Sequence, residues 1–447
     1  MYIEKQKFLV FGISKSGYSA SKFLLQKKAT CYIYEEIFVG RVNTAIEELV
    51  LNGAMLVKKE DIDEVLKEID VLIISPGVPI NHQVCIKAKG LGKRIIGEFE
   101  FGSLFIKNPF IAITGTNGKT TTCYLLKSMM EKERKVTLLG NVGTPITSAI
   151  DSLLEDEIVI AEISSFQLET MNAFMPHITC ILNIKPDHLE RHYTMDNYVF
   201  LKRKLLKNSR ESEYAVLNYD DEIVKEFEEN LSAKKVWISL KEKVDGAYLL
   251  EDKIFYFDEF ITTVDKIPLK GLHNVQNVLA SICMAKIMGI STDAIVSGLC
   301  EFKGVKHRIE EIAKIKEITF FNDSKATNTS STISAIKSIK GPIVLILGGK
   351  EKGEKYDLLF KEIKSSFVTN VVLTGESKLN MLETAISQGY TNLTVSDNFD
   401  NAVKIAYLLA NKGENVLLSP ACASFDAFEN YEARGERFCE IVKSLKE

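Results

Sequence analysis

Three segments carry residue types at a spacing that could do chemistry on a phosphate. The first is Ile113-Thr114-Gly115-Thr116-Asn117-Gly118-Lys119-Thr120-Thr121. An apolar strand enters it, glycines permit a tight turn, and a helix is expected to leave it. Backbone N–H groups of such a turn converge on an anion, and the new helix adds its positive dipole end. Lys119 would reach the outer phosphates and Thr120 would ligate Mg²⁺. The pattern is G-x-x-G-K-T, shorter than the usual G-x-x-x-x-G-K-[ST]. A plain strand-to-helix turn with a solvated lysine is the alternative, and the coincidence of Gly, Lys and two hydroxyls argues against it.

A phosphate loop needs a metal-holding acid on a neighbouring strand. Glu157-Ile-Val-Ile-Ala161 reads as that strand, with Glu162 at its C-terminal end, where ligands of parallel sheets bind. A polar, compact stretch follows, Ser164-Ser-Phe-Gln-Leu-Glu169. The third segment is a strand, His177-Ile-Thr-Cys-Ile-Leu182, running into the turn Asn183-Ile-Lys-Pro-Asp187-His188. An imidazole at a strand end beside a Glu makes a second candidate Mg²⁺ site, although oxygen ligands are the usual choice. Taken alone, His188 reads as a surface turn residue.

A weaker glycine turn lies near the start. Phe11-Gly12-Ile-Ser14-Lys-Ser16-Gly17 is similar to the G-x-G-x-x-G fingerprint, with Glu35 or Glu36 ending the next strand. Ser14 replaces the second glycine, which exists so that the backbone can approach a pyrophosphate. That substitution argues against NAD held in the usual way.

The elements that must position these residues alternate. Lys7–Phe11, Thr30–Tyr34 and Asp70–Ile74 read as strands, with a helix from about Tyr18 to Gln26. A second α/β run starts at Phe110-Ile-Ala-Ile113. A third starts near Ile318-Thr-Phe-Phe321 and includes Pro342–Leu347, Asn370–Leu373 and Asn415–Leu418. Strands alternating with helices imply parallel sheets wrapped by helices. The chain has 447 residues, beyond the roughly 250–300 at which one core stops growing. Boundaries are placed near Glu98 and Phe302, giving domains 1–98, 99–301 and 302–447.

Bulk properties exclude several classes. The formal charge is −4, from 56 basic and 60 acidic residues intermixed, so no global attraction to nucleic acid or anionic membrane is expected. The first residues carry Glu4, Lys5 and Lys7 and do not read as a signal peptide. No apolar stretch reaches the roughly 20 residues that span a bilayer. The eight cysteines are scattered with no C-x-x-C pair, and most read as buried thiols of a cytosolic protein.

Gly115–Thr121, Glu162–Glu169 and Asn183-Ile-Lys-Pro-Asp-His-Leu-Glu-Arg191 together resemble the central domain of the Mur ligases. Gly271-Leu-His-Asn274, His307-Arg308, Asn322-Asp-Ser-Lys-Ala-Thr-Asn328 and Leu347-Gly-Gly349 extend the resemblance, which runs to near Arg437. The ending Leu418-Ser-Pro-Ala-Cys-Ala-Ser-Phe-Asp426, with Phe428, Tyr431, Arg434 and Gly435, is most typical of members that add D-glutamate. The Asp-Asn-Pro-Arg element of members that add a diamino acid is missing from the sequence.

The resemblance implies three α/β domains. These are an N-terminal Rossmann-like UDP-binding domain, a central P-loop ATPase-like domain with a mostly parallel sheet, and a C-terminal Rossmann-like domain. It implies an ATP-dependent ligase that adds D-glutamate to UDP-N-acetylmuramoyl-L-alanine through an acyl phosphate, acting as a cytoplasmic monomer. Gly115, Thr116, Asn117, Gly118, Lys119, Thr120 and Thr121 would cradle ATP. Asn274 would contact adenine, and Arg308 and Asp323 the ribose and phosphates; a helix N-cap and a surface ion pair are their plain alternatives. Thr120 and Glu162 would serve one Mg²⁺, and Glu162 with His188 a second. Lys202, in Tyr198-Val-Phe-Leu-Lys202, would be carbamylated, since an anion is what a dication pair can use. Composition alone reads Lys202 as a solvated lysine in the cluster Lys202, Arg203, Lys204 and Lys207, and Lys204 is the second candidate.

Ser14, Ser16, Glu35, Ser75, Gly77, Asn81, Asn141 and His188 would line the UDP-substrate pocket, although Gly77 could equally be a turn glycine. Lys325, Thr327, Lys352, Ser424, Phe425 and Tyr431 would hold D-glutamate, with Lys350 the alternative to Lys352. Tyr431 stands where relatives commonly show Phe, which leaves the packing of its extra hydroxyl open.

Three rivals frame the expectation. A folate-extending ligase would share Lys119 and the metal site but usually lacks the N-terminal UDP domain. An NAD-dependent oxidoreductase leaves Gly115–Thr121 unexplained. A non-catalytic nucleotide-binding scaffold fits poorly with Lys119, Glu162 and His188 all present.

Overall fold

The computed structural model describes residues 3–38, 41–229, 231–269, 271–351 and 355–445. They form three α/β sheets. The first holds β1 (Lys7–Phe11), β2 (Thr30–Tyr34), β3 (Met55–Leu56), β4 (Val71–Ile74) and β5 (Arg94–Gly97), in the order 3-2-1-4-5. All its pairings are parallel, and the strand order reverses at β1. In such a sheet ligands bind beyond the carboxyl ends at that reversal, beside the Gly12 turn.

The second sheet holds β6 (Phe110–Thr114), β7 (Val136–Gly140), β8 (Ile158–Glu162), β9 (Ile178–Ile181), β10 (Tyr214–Asn218), β11 (Lys234–Ser239), β12 (Gly246–Leu250), β13 (Lys253–Tyr256) and β14 (Glu259–Thr263). Its order is 14-13-12-11-10-9-6-8-7, parallel from β7 to β12 and antiparallel through β13 and β14. The third holds β15 (Glu310–Ile315), β16 (Ile318–Asn322), β17 (Ile343–Gly348), β18 (Val368–Thr374), β19 (Leu393–Val395) and β20 (Asn415–Leu418), ordered 15-16-20-17-18-19. Only its edge strand β15 runs antiparallel.

The chain divides into two compact units. One comprises Met1–Ile267 with Val275–Phe302, and so contains the first two sheets. The other comprises Pro268–Asn274 with Lys303–Glu447. No described helix is long and apolar enough to cross a membrane. Six of the eight cysteines are buried, while Cys300 is exposed and Cys439 half-buried.

The expected helix after β1 starts three residues early, at Lys15 rather than Tyr18. The cause is Gly17, which lies inside the helix because a Cβ there would meet Gly12 O at 1.8 Å. Gly17 lets the helix sit directly on the turn. Strands β10 to β14 extend the central sheet into a region that the sequence motifs leave unread.

Glu98 opens the helix Glu98–Ser103 and is buried. Its carboxylate accepts hydrogen bonds from Thr147 N at 2.9 Å and Thr147 Oγ1 at 2.7 Å, and Ser19 Oγ lies 2.7 Å from the same hydroxyl. Burial pushes its pKa from 4.5 up to about 7, against the Thr147 donors. The folded chain therefore holds this proton more tightly than the unfolded chain does. Stability falls as pH rises between those two values. Glu98→Gln should raise the melting temperature near pH 8 and change it little near about pH 5. An equal shift at both pH values in thermal scans would assign the effect to packing instead.

Candidate functional site

The site grows from the carboxyl edge of the central sheet. Strand β6 is flanked by β8 and β9, with Ile113 opposite Glu162 and Thr114 opposite Ile181. Parallel pairing delivers all three following segments to one edge. Gly118 takes φ +86° and the helix Lys119–Met130 begins at the next residue. A Cβ on Gly118 would lie 2.3 Å from Asn277 Oδ1, so only glycine fits there.

The turn is braced by the segment that follows β9. Thr116 N donates to Asn183 O at 2.9 Å, and Asn117 N to Asn183 Oδ1 at 2.9 Å. Thr116 Oγ1 donates to Lys185 O at 3.1 Å and accepts from Lys185 N at 2.9 Å. Lys119 Nζ donates to Gly115 O and Thr116 O, each at 2.7 Å. Its charge thus rests over the turn that would receive phosphates.

Thr120 Oγ1 donates to Glu162 Oε2 at 2.7 Å, and Asn141 Nδ2 donates to Glu162 Oε1 at 2.6 Å. Glu162 is the last residue of β8 and is buried. Lys202, on the helix Met195–Arg203, is 1% exposed. Its Nζ donates to Gly115 O at 3.0 Å and lies 4.8 Å from the Tyr198 ring centre. Burial, then the Lys119 charge, hold its pKa well below the ordinary lysine value, opposed by Asp187 and Glu162. Lys204 is half-buried and faces away, onto Leu168 O at 3.0 Å and Glu169 O at 3.1 Å. The solvated-cluster reading thus describes Arg203 and Lys207, which are exposed, and not Lys202.

His188 stands at φ 54°, partly exposed, with its ring 4.8 Å from that of Phe166. Its nitrogens lie 3.4 Å from Glu190 Oε1 and 3.7 Å from Asp187 Oδ2. Among the described residues no group of three or more His, Cys, Asp or Glu side chains is set to hold a metal. The structure thus brings Lys119, Thr120, Glu162 and Lys202 together, with His188 on the adjoining turn.

The other expected residues occupy several places. Ser14 is the exposed N-cap of the helix Lys15–Gln26, and Ser16 lies in its first turn. Glu35 Oε2 accepts from Ile13 N at 2.7 Å, closing over the Gly12 turn. Ser75 Oγ donates to Gly12 O at 2.6 Å. Gly77 has no positive φ, and a Cβ there would touch nothing within 4 Å, so the turn itself does not demand a glycine. Asn81 Nδ2 donates to Tyr193 OH at 2.7 Å. Thr121 is buried, and its hydroxyl has no hydrogen-bond partner.

In the second unit Asn274 lies inside the first turn of the helix Leu272–Ile287, so an N-cap role does not apply. Asp323 is buried, not a surface partner. Its Oδ2 accepts from Ser419 Oγ at 2.8 Å, and burial pushes its pKa up to about 7 despite Arg308 nearby. Arg308 Nε is buried without a hydrogen-bond partner, which a bound acceptor would satisfy. Lys325 Nζ donates to Tyr431 OH at 3.1 Å and sits 4.9 Å from that ring centre. The Tyr431 hydroxyl is therefore accommodated. Thr327 is half-buried, Ser424 buried and Phe425 exposed. Phe425 lines a cleft of about 500 Å³ with Lys350, Glu376 and Lys378, where Lys350 pairs with Glu376 at 2.6 Å. Lys352 lies outside the described residues.

Arg434 anchors this end of the second unit. It is buried and donates to Ser324 Oγ (3.0 Å), Ser324 O (2.8 Å), Cys422 O (3.0 Å) and Ala423 O (3.2 Å). Arg434→Ala would strip the guanidinium from Ser324 O and Cys422 O, while Ala423 O keeps Lys350 N and Ser324 Oγ keeps Tyr431 O, so a loss of at least about 3 kcal/mol in urea unfolding is expected. A loss below about 1 kcal/mol would mean that water replaces the guanidinium.

Tyr198, Asn183, Asp187 and Asn277 were not singled out from sequence, yet they brace the loop or surround Lys202. Asp187 stood next to His188 in a recognised segment, which was the available signal. Asn277, one helical turn after Asn274, gave none.

These sheets and this loop agree with comparisons to known proteins. Models of the Mur ligase MurD-like N-terminal domain, the Mur ligase middle domain and the Mur ligase glutamate ligase domain match residues 6–97, 113–285 and 307–422. The chain belongs to the Mur ligase family, whose three-domain α/β architecture it shares. It is 40% identical to the UDP-N-acetylmuramoylalanine--D-glutamate ligase of Caldanaerobacter subterraneus subsp. tengcongensis, covering 100% of both chains. It is 38% identical to the enzyme of the same name from Clostridioides difficile, again over 100% of both. Among solved structures, the UDP-N-acetylmuramate-alanine ligase of Thermotoga maritima shares its fold at TM-score 0.64 and 18% identity, covering 99% of this chain and 100% of that one.

Proposed function

We propose that this chain joins D-glutamate to UDP-N-acetylmuramoyl-L-alanine at the expense of ATP, for peptidoglycan precursor synthesis, as a cytoplasmic monomer. The observation that carries the reading is the junction of Thr120, Glu162 and buried Lys202 on the Lys119 turn. Full-length relatives bearing that enzyme's name support the choice of substrates.

A carboxylate and an amine do not condense in water, because the carboxylate is a poor electrophile. The alanyl carboxylate oxygen attacks the γ-phosphorus of ATP, ADP leaves, and an acyl phosphate forms. The D-glutamate amine then attacks the acyl carbon, loses a proton, and phosphate departs with the C–O bond's electrons. The Gly115–Thr121 backbone and Lys119 hold the phosphates in line and offset charge as it shifts. Oxygen donors from Thr120 and Glu162 suit Mg²⁺, and a carbamate on Lys202 with His188 would complete a second position. Bound there, the ions would neutralise the phosphoryl oxygens and orient the acceptor carboxylate. Asn274 serves the adenine of ATP, and Arg308 and Asp323 its ribose and phosphates. Ser14, Ser16, Glu35, Ser75, Gly77, Asn81 and Asn141 serve the uridine-linked substrate. Lys325, Thr327, Lys352, Ser424, Phe425 and Tyr431 serve D-glutamate.

Phosphate release from ATP is expected only when both UDP-N-acetylmuramoyl-L-alanine and D-glutamate are present. Free replacement by tetrahydrofolate or L-glutamate would transfer the chain to the folate-extending reaction.

A further inference from the structure

Arg191 lies three residues beyond His188, in the short helix Leu189–His192 of the central domain. Its guanidinium grips Glu169 through both arms, Nε to Oε1 at 2.9 Å and Nη2 to Oε2 at 2.7 Å. Both side chains are largely shielded, at 14% and 7% exposure. The remaining donors point at the N-terminal domain, to Gly77 O at 3.2 Å, Val78 O at 3.0 Å and Pro76 O at 3.4 Å. The cation also lies 4.8 Å from the Phe166 ring centre, the ring that His188 packs against. Two residues on, Tyr193 OH accepts from Asn81 Nδ2 at 2.7 Å.

One short stretch thus carries His188 and also grips the loop 76–81 that follows β4. Three backbone carbonyls turned onto one guanidinium fix the path of that loop. Gly77, where no conformational need for glycine exists, sits in the middle of it. Glu169 holds the guanidinium in the orientation that reaches those carbonyls, and Glu169 follows Glu162 by seven residues through the helix Ser165–Thr170.

We infer that Arg191 is a positioning residue for the uridine-diphosphate substrate: it sets the 76–81 loop in register with the His188 turn, so that substrate binding and the metal-bearing edge are built as one piece. The inference rests on the proposed function above. A lysine keeps the charge toward Glu169 but cannot span three carbonyls and a carboxylate at once.

The test is steady-state kinetics and calorimetry on the full chain as native protein, Arg191→Ala, Arg191→Lys and Tyr193→Phe. Arg191→Ala should raise both KM and Kd for UDP-N-acetylmuramoyl-L-alanine roughly ten- to hundredfold, while KM for ATP and Kd for ADP stay within about threefold. Arg191→Lys should fall between it and the native protein, and Tyr193→Phe should show a smaller shift in the same direction. A role in folding alone would lower the active fraction and leave every KM unchanged, and that result overturns the inference. Equal weakening of the uridine substrate and ADP also overturns it. If Arg191→Ala does not fold, the same readings on Arg191→Lys decide. Failure of the native protein to bind the uridine substrate would instead sink the proposed function.

Discussion

Lys119→Ala is expected to lower turnover at least about a hundredfold, the scale on which one electrostatic stabiliser is lost. Its ammonium rests on Gly115 O and Thr116 O, so the cation is held over the turn before any nucleotide arrives. Alanine keeps the helix start and removes the ammonium that would meet phosphate. The loss should therefore appear in kcat of phosphate release at saturating ATP, with the melting temperature nearly unchanged. Near-native turnover would remove Lys119 from the mechanism.

Lys202→Ala is expected to be nearly as damaging and, unlike the first variant, repairable. Groups that orient metal ligands cost roughly 10–100-fold when removed, and a carbamate that itself holds the metal belongs at the upper end or above. A carbamate forms when an uncharged amine attacks carbon dioxide, making an N–C bond and losing a proton. Burial beside the Lys119 charge favours the uncharged amine at Lys202. Removing the side chain opens space against Gly115 and Thr114. Formate or acetate entering there should restore part of the phosphate release. Lys204→Ala should retain most turnover and show no response to added acid. No rescue of Lys202→Ala, together with an equal defect in Lys204→Ala, would undo the assignment.

Much of the central edge was legible because strand ends advertise themselves. An apolar run such as Phe110–Thr114 that breaks at glycine and lysine marks both a strand and its chemistry. The region from Tyr214 to Thr263 was not legible for a related reason. The hairpin joining β12 to β13 turns at Glu251 with φ 57°, and that joining β13 to β14 turns at Phe257 with φ 51°. Neither turn carries a glycine or proline at that residue, so the usual punctuation is missing. Lys202 was misread by composition because its neighbours Arg203 and Lys207 are exposed; only its place on the helix turns it inward. Arg191 closes a recognised segment, but nothing in that segment pointed to its role. Besides Glu169, its partners are backbone carbonyls more than a hundred residues away, and a carbonyl leaves no trace in residue identity.

The clasp on Glu162 has a consequence for the order of events. With Thr120 on one oxygen and Asn141 on the other, the carboxylate is aligned but already engaged. Thr120 Oγ1 keeps its lone pairs while its proton stays turned to Glu162, so an incoming dication would meet that hydroxyl and the carboxylate already set in place. Two protein oxygens alone would hold a divalent ion weakly, whereas an ion carried in on a triphosphate would bring phosphate oxygens as further ligands. Loading would then be coupled: free Mg²⁺ should titrate weakly, and the nucleotide should serve as its escort.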